Sequence, residues 1–135
     1  MRSAPEALVV SLDHLRGGAR LVRLRGDVHE RAGIELMALI DVQRSRSMDL
    51  LVLDLAELTT FGAMAVQIMV QIATELGRVD IRLCLVASDG LAVKVESALD
   101  VAGVRSLFEL HISVDDALEV PRIGRSIRFQ PGIEP

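Results

Sequence analysis

The stretch that most restricts the fold of this chain runs from Leu50 to Arg78. It opens with a solid apolar run, Leu50-Leu51-Val52-Leu53-Asp54-Leu55, passes through Ala56-Glu57-Leu58-Thr59-Thr60-Phe61-Gly62, and continues as a long apolar segment from Ala63. A short apolar run closed by a turn and followed by helix-period sequence reads as a buried strand, a loop and a helix. Continuous hydrophobicity along the strand implies burial on both faces, the habit of a central parallel strand covered by helices. In such sheets ligands and partners meet the protein at the carboxyl ends of the strands, where helix N-termini leave backbone N–H groups unpaired. The loop Leu58 to Met64 is therefore the first candidate site. Its tip, Gly62-Ala63-Met64-Ala65, offers no charge, hydroxyl or thiol.

The rest of the chain supplies the partners of that strand. Ala7 to Leu12 and Ala19 to Leu24 are two β-prone runs, and Asp13 to Gly18, with its Gly17-Gly18 pair, reads as the hairpin turn between them. In the second run Arg20 and Arg23 flank Leu21 and Val22, so the apolar alternation is imperfect. After the loop Gly26 to Glu30, the residues Ala32, Leu36, Leu39 and Ile40 mark one face of a helix over Arg31 to Arg44. A second helix over Ala63 to Gly77 is apolar except for a narrow wet stripe at Gln67, Gln71, Thr74, Glu75 and Arg78. Ile81 to Ala87 reads as a buried strand closed by Ser88-Asp89-Gly90. Leu91, Val95, Ala98, Leu99 and Ala102 mark a third helix, stopped by Gly103. Leu107 to Ile112 is a last short strand, and Ser113-Val114-Asp115-Asp116 has the form of a capping box opening a short helix to about Leu118. The order β-β-α-β-α-β-α-β-α predicts an α/β domain: an antiparallel start followed by β-α units, giving a mixed sheet packed with about four helices. After Glu119 the periodicity vanishes, and Pro121, Gly124, Pro131, Gly132 and Pro135 punctuate an irregular tail carrying Arg122, Arg125 and Arg128.

Composition narrows the function. With 135 residues, 50% hydrophobic and 25% charged, the chain is a single globular domain with a real core. Aromatic residues make up 2%, with no Trp and no Tyr, which argues against surfaces that stack nucleic-acid bases on rings. A net charge of −4 points away from DNA and from anionic membranes. No span reaches the ~20 apolar residues of a membrane helix, and no apolar segment near the N-terminus is long enough for a signal peptide, so a cytoplasmic location is expected. Cys84 is alone, inside an apolar run, and reads as a small core residue with no disulfide or zinc pattern around it.

Enzyme signatures are absent: no GxGxxG, P-loop, HExxH or GxSxG. His14, His29 and His111 lie in different segments, and His29-Glu30 reads as a helix N-terminus with the acid placed against the dipole. Asp54, on a central strand, resembles the phosphoacceptor of a receiver domain. That chemistry needs an acidic pair for Mg²⁺ and a lysine for the phosphoryl group. Asp13 stands alone and Lys94, the one lysine, lies within a helix. Asp54 is therefore expected to be structural, accepting loop N–H bonds. No nucleophile, base or metal constellation can be assembled, and no cofactor is expected.

The run Leu53-Asp54-Leu55-Ala56-Glu57-Leu58-Thr59-Thr60-Phe61-Gly62-Ala63-Met64-Ala65-Val66 resembles the signature of the anti-sigma factor antagonist (STAS) family, Leu-Asp-Leu-Ser-Gly-Val-Thr-Phe-Ile-Asp-Ser-Ser-Gly-Leu. Leu24 to His29, Ala98 to Phe108 and Ser113 to Leu118 resemble three further family stretches in the right order, so the resemblance spans about Leu8 to Leu118. It implies a STAS-like domain over residues 1–119 with a tail over 120–135. It also implies a non-enzymatic, bacterial partner-switching protein that binds an anti-sigma factor kinase and so frees a sigma factor. The partner-binding loop would be Thr59, Thr60, Phe61, Gly62, Ala63 and Met64. In the family a serine of this loop takes a phosphate that breaks the complex, and that serine falls on Ala63, which cannot accept one. Thr59, Thr60 and Ser88 are the candidate substitutes, with an N-cap or loop hydrogen bond the favoured role for Thr60. The alternative is a STAS module serving as a small-molecule- or lipid-binding accessory. The sequence does not set the oligomeric state, a homodimer being one candidate.

Overall fold

The computed structural model describes residues 8–119. Five strands and four helices follow in the order β1 (Val9–His14), β2 (Ala19–Gly26), α1 (Glu30–Arg44), β3 (Leu50–Leu58), α2 (Ala63–Gly77), β4 (Arg82–Val86), α3 (Asp89–Val101), β5 (Glu109–His111) and α4 (Val114–Glu119), with a 3-10 turn at Arg105–Leu107. The sheet order is β1-β2-β3-β4-β5, antiparallel between β1 and β2 and parallel thereafter. Each parallel crossover steps one strand in the same direction. With a constant handedness of crossover, α1, α2 and α3 must all lie on one face of the sheet. Leu51, Leu53 and Leu55 of β3 point to that face and pack with Leu36, Ile40, Met69, Ile72, Leu76, Val95 and Leu99.

Among the described residues the other face is lightly covered. Leu21, Leu50, Val52, Cys84 and Val86 form a smaller cluster there, against Ala117 of α4 and flanked by Leu15, Val114 and Leu118. Both faces of β3 are thus buried, as its unbroken apolar run requires; Leu50 to Leu53 are each nearly inaccessible.

Several boundaries differ from the periodicity. β1 runs to His14 because Asp13 and His14 still pair with Leu21 and Arg20, so the turn shrinks to Leu15 through Gly18. β3 runs three residues past Leu55 because an irregularity between Arg23 and Arg25 lets Arg25 and Gly26 pair with Glu57 and Leu58. Helix α3 begins at Asp89, in what reads as a loop, and the last strand contracts to three residues because Arg105–Leu107 coil as a 3-10 turn. Gly103, at φ +76°, ends α3 in a Schellman motif: Val104 N–H donates to Leu99 C=O and Gly103 N–H to Asp100 C=O, both at 2.9 Å. At α4 only half of the expected capping box forms: Asp116 N–H donates to Ser113 Oγ at 3.0 Å, but the Asp116 carboxylate turns to His111. Ala7 and the tail with Arg122, Arg125 and Arg128 lie outside the described residues.

Candidate functional site

The β3–α2 loop, Thr59 through Gly62, emerges at the carboxyl end of the central strand. Gly62 is the N-cap of α2 and supplies no side-chain hydrogen bond; Ala63 is the first helical residue, and the first turn holds no acid. Gly62, Ala63 and Met64 are exposed, whereas Phe61 is half-buried against the main core. Thr59 and Thr60 are not caps. Both hydroxyls donate to one carboxylate oxygen, Asp27 Oδ1, Thr60 at 3.3 Å, and Thr59 N–H donates to Gly26 C=O at 3.0 Å. These bonds tie the loop to its neighbour after β2 and leave the apolar tip as the part that faces outward.

Beside the tip, α2 and α3 flank an open groove of about 920 Å³, lined by Phe61, Ala63, Val66 and Val70 on one side and by Val93, Lys94 and Val101 on the other. Val93 and Val101 lie off the core-facing stripe of α3 and are 69% and 87% exposed. These apolar side chains stand in water beside a concave, largely apolar wall. Lys94 also lines a smaller recess with Thr59, Thr60, Phe61 and Leu91, so a cation the sequence places inside a helix stands next to the loop. Asp27, Lys94, Val93 and Val101 are the site residues that sequence reasoning passes over. The two exposed valines could have been found as apolar residues out of phase with the α3 stripe.

The remaining candidates separate. Asp54 lies on the far face of the sheet, sharing strand parity with Val52, where Ala56 N–H donates to Oδ1 at 3.0 Å and Arg23 Nε to Oδ2 at 3.3 Å. Arg23 also stands 3.9 Å from Asp13. An arginine thus bridges the two carboxylates. His29 caps α1, its Nδ1 accepting from Ala32 N–H at 3.4 Å, with Glu30 in the first turn. Ser88 is the exposed N-cap of α3, without a side-chain bond.

His111, which looks isolated in sequence, has close company on the far face. Its Nδ1 lies 2.8 Å from Asp116 Oδ2 and its Nε2 lies 3.4 Å from Glu109 Oε1. The Cys84 thiol points at the same Glu109 oxygen from 3.6 Å. Arg82 grips Glu109 with two nitrogens, Nε reaching Oε2 at 2.6 Å and Nη2 reaching Oε1, while its Nη1 is buried without a partner among the described residues. Burial and the neighbouring Glu109 charge push the Cys84 thiol up to about 12. Burial pushes the Glu109 carboxyl upward, but the Arg82 hydrogen bonds and charge outweigh it and hold Glu109 below its ordinary range. Cys84 is a core residue, as its setting implies, yet it sits within a polar cluster that no sequence spacing reveals.

Comparison with known proteins follows the same geometry. Residues 12–117 match the STAS domain family. No curated protein sequence matches the chain. Among solved structures, an anti-sigma factor antagonist from Mycobacterium paratuberculosis superposes with a TM-score of 0.70 at 22% identity, covering 87% of this chain and 96% of that one. The anti-sigma factor antagonist SpoIIAA in its unphosphorylated form gives 0.65 at 16% identity, over 94% and 100% of the two chains. SpoIIAA, a Bacillus cell fate determinant, in its phosphorylated form gives 0.63 at 16% identity, over 84% and 100%.

Proposed function

Since this chain belongs to the STAS domain family, we propose that it is a regulatory binding protein of the anti-sigma factor antagonist type, which sequesters an anti-sigma factor kinase through the β3–α2 loop and the α2–α3 groove. One observation carries this reading: the uncharged tip at Phe61, Gly62 and Ala63 is continuous with the open apolar groove bordered by Val93 and Val101. Burying such side chains contributes roughly 25 cal/mol per Å² of apolar area removed from water. The likeness to anti-sigma factor antagonists supports the choice of partner.

Its regulation differs from that of a phosphorylated relative. Phosphorylation adds roughly −1.5 to −2 charges, enough to break an apolar contact by repulsion and desolvation. Ala63 offers no oxygen for it. The Thr59 and Thr60 hydroxyls are spent on Asp27, and a phosphate on either would face that carboxylate. Binding is therefore constitutive, or controlled from elsewhere.

The test is co-purification with an anti-sigma factor kinase, followed by incubation with ATP and intact-mass measurement. A complex formed by the wild type and lost in Ala63→Arg, with no mass gain on this chain, is the expected result. Equal binding by Ala63→Arg removes the loop from the interface, and a phosphate on the loop overturns the regulatory part. Gly62→Asp combined with Ala63→Ser should turn the loop into a kinase substrate. A second reading, a small-molecule or lipid accessory, is favoured by the groove volume, which lies within the ~300–1,000 Å³ of ligand pockets, and by Lys94 at its edge. A fatty acid that raises the melting temperature of the wild type would support that reading over the first.

A further inference from the structure

We propose that Cys84, Glu109 and His111 form a zinc-binding site on the face of the sheet opposite the α2–α3 groove. The three donor atoms, Sγ, a carboxylate oxygen and an imidazole nitrogen, all lie within 4.8 Å of one another. They come from adjacent strands: β4 and β5 pair Cys84 with Glu109, and His111 follows two residues on, facing the same side. Thiolate, imidazole and carboxylate together suit zinc, whose bonds to sulfur, nitrogen and oxygen are about 2.0 to 2.3 Å. Two neighbouring ligands of a tetrahedral ion at those bond lengths stand about 3.3 to 3.6 Å apart. Glu109 Oε1 is 3.6 Å from Cys84 Sγ and 3.4 Å from His111 Nε2, so both pairs that include the carboxylate already hold that separation.

The surroundings are those of a supported site. Asp116 Oδ2 can only accept, so Nδ1 of His111 carries the proton and Nε2 is the nitrogen left facing Glu109. A carboxylate on the non-ligating nitrogen fixes the ring and raises the basicity of a metal-binding histidine. Nε2 and Oε1 then face each other at 3.4 Å, a separation that a cation bound to both would bridge. Charge also balances. With zinc in place of the thiol proton, the ion (+2), Arg82 (+1), and the Cys84 thiolate, Glu109 and Asp116 (−1 each) sum to zero, with His111 neutral. Arg82 and His111 side chains are each 10% exposed and Glu109 38%, so the carboxylate edge is the way in from solvent. Three protein ligands leave a fourth position for water or for a donor from a partner.

The test uses the full-length, tag-free chain. Cobalt(II) titration of the wild type should give a thiolate-to-cobalt charge-transfer band, displaced by zinc, and native mass spectrometry should show one zinc per chain. Cys84→Ser should abolish the band. Glu109→Gln and His111→Gln should weaken zinc binding at least tenfold. Asp116→Asn should weaken it about 10- to 100-fold, as loss of such supporting contacts does. Circular dichroism establishes that each variant is folded; should Cys84→Ser not fold, the Glu109 and His111 variants decide. A folded wild type that gives no charge-transfer band, or folded Glu109 and His111 variants that bind zinc as the wild type does, overturns the site.

Discussion

Arg20 and Arg23 interrupt the apolar alternation of β2, and the structure sends them to opposite faces. Arg20 turns to the helical side and is nearly inaccessible; its Nε donates to Gln43 Oε1 at 3.2 Å and its Nη2 to the Arg46 carbonyl at 2.9 Å. A buried guanidinium is tolerated only with such partners. Gln43→Leu leaves Nε without its acceptor, so it should destabilise the fold by about 1–3 kcal/mol, seen as a lower urea midpoint at unchanged slope. Arg23 instead bridges Asp13 and Asp54 on the far face. The exposed Asp13 contact should contribute little, whereas Asp54 is held by both Arg23 and its own Ala56 N–H. Neither arginine's partner was legible in the sequence, because each stands 10 to 31 residues away and is brought close only by strand pairing and the docking of α1. Asp54 accepts instead from Ala56 N–H, two residues on within β3 itself, rather than from the loop that follows the strand.

At the scale of elements, the close approach of α1 and α2 turns on Gly33. A Cβ there would lie 2.4 Å from Ile68 Cδ1 and 2.9 Å from Ile68 Cγ1, so the Ile68 side chain must shift to admit one. Gly33→Ala improves helix propensity by about 1 kcal/mol, but overpacking of this kind costs about 1–3 kcal/mol. The net effect should be destabilising, and a double-mutant cycle with Ile68→Ala in urea should give a coupling of about 1 kcal/mol in the compensating direction. A glycine in the middle of a helical pattern marks a close packing contact or a weak spot, and the sequence does not say which. The stop of α3 was plainer. Gly103 just past the last periodic residue announces a left-handed cap, and the Schellman bonds to Leu99 and Asp100 form there.

For the molecule as a whole, the arrangement of faces decides function. Three helices cover one side of the sheet, and the loop tip and groove lie at the carboxyl end of that side. A second, smaller recess of about 380 Å³ opens between α1 and α2, with Ile34, Met37 and Met64 on its walls. Both recesses share the start of α2, so a partner could seat on either. Val101→Glu and Ile34→Glu, each at an exposed position, should change stability by no more than about 0.5 kcal/mol. If the proposed anti-sigma factor kinase is the partner, Val101→Glu should lose the complex in a pull-down and Ile34→Glu should keep it. The reverse pattern would move the interface to α1. The sequence by itself determined the order of elements, the doubly buried central strand and the family, because periodicity, turn residues and motif identity are local properties of the chain. Only the tertiary structure decided that Val93, Val101 and Lys94 stand beside the loop, that Asp27 engages both loop threonines, and that Cys84, Glu109 and His111 meet. Those neighbours are set by strand register and helix docking, which join residues far apart in the chain and leave no periodic trace in it.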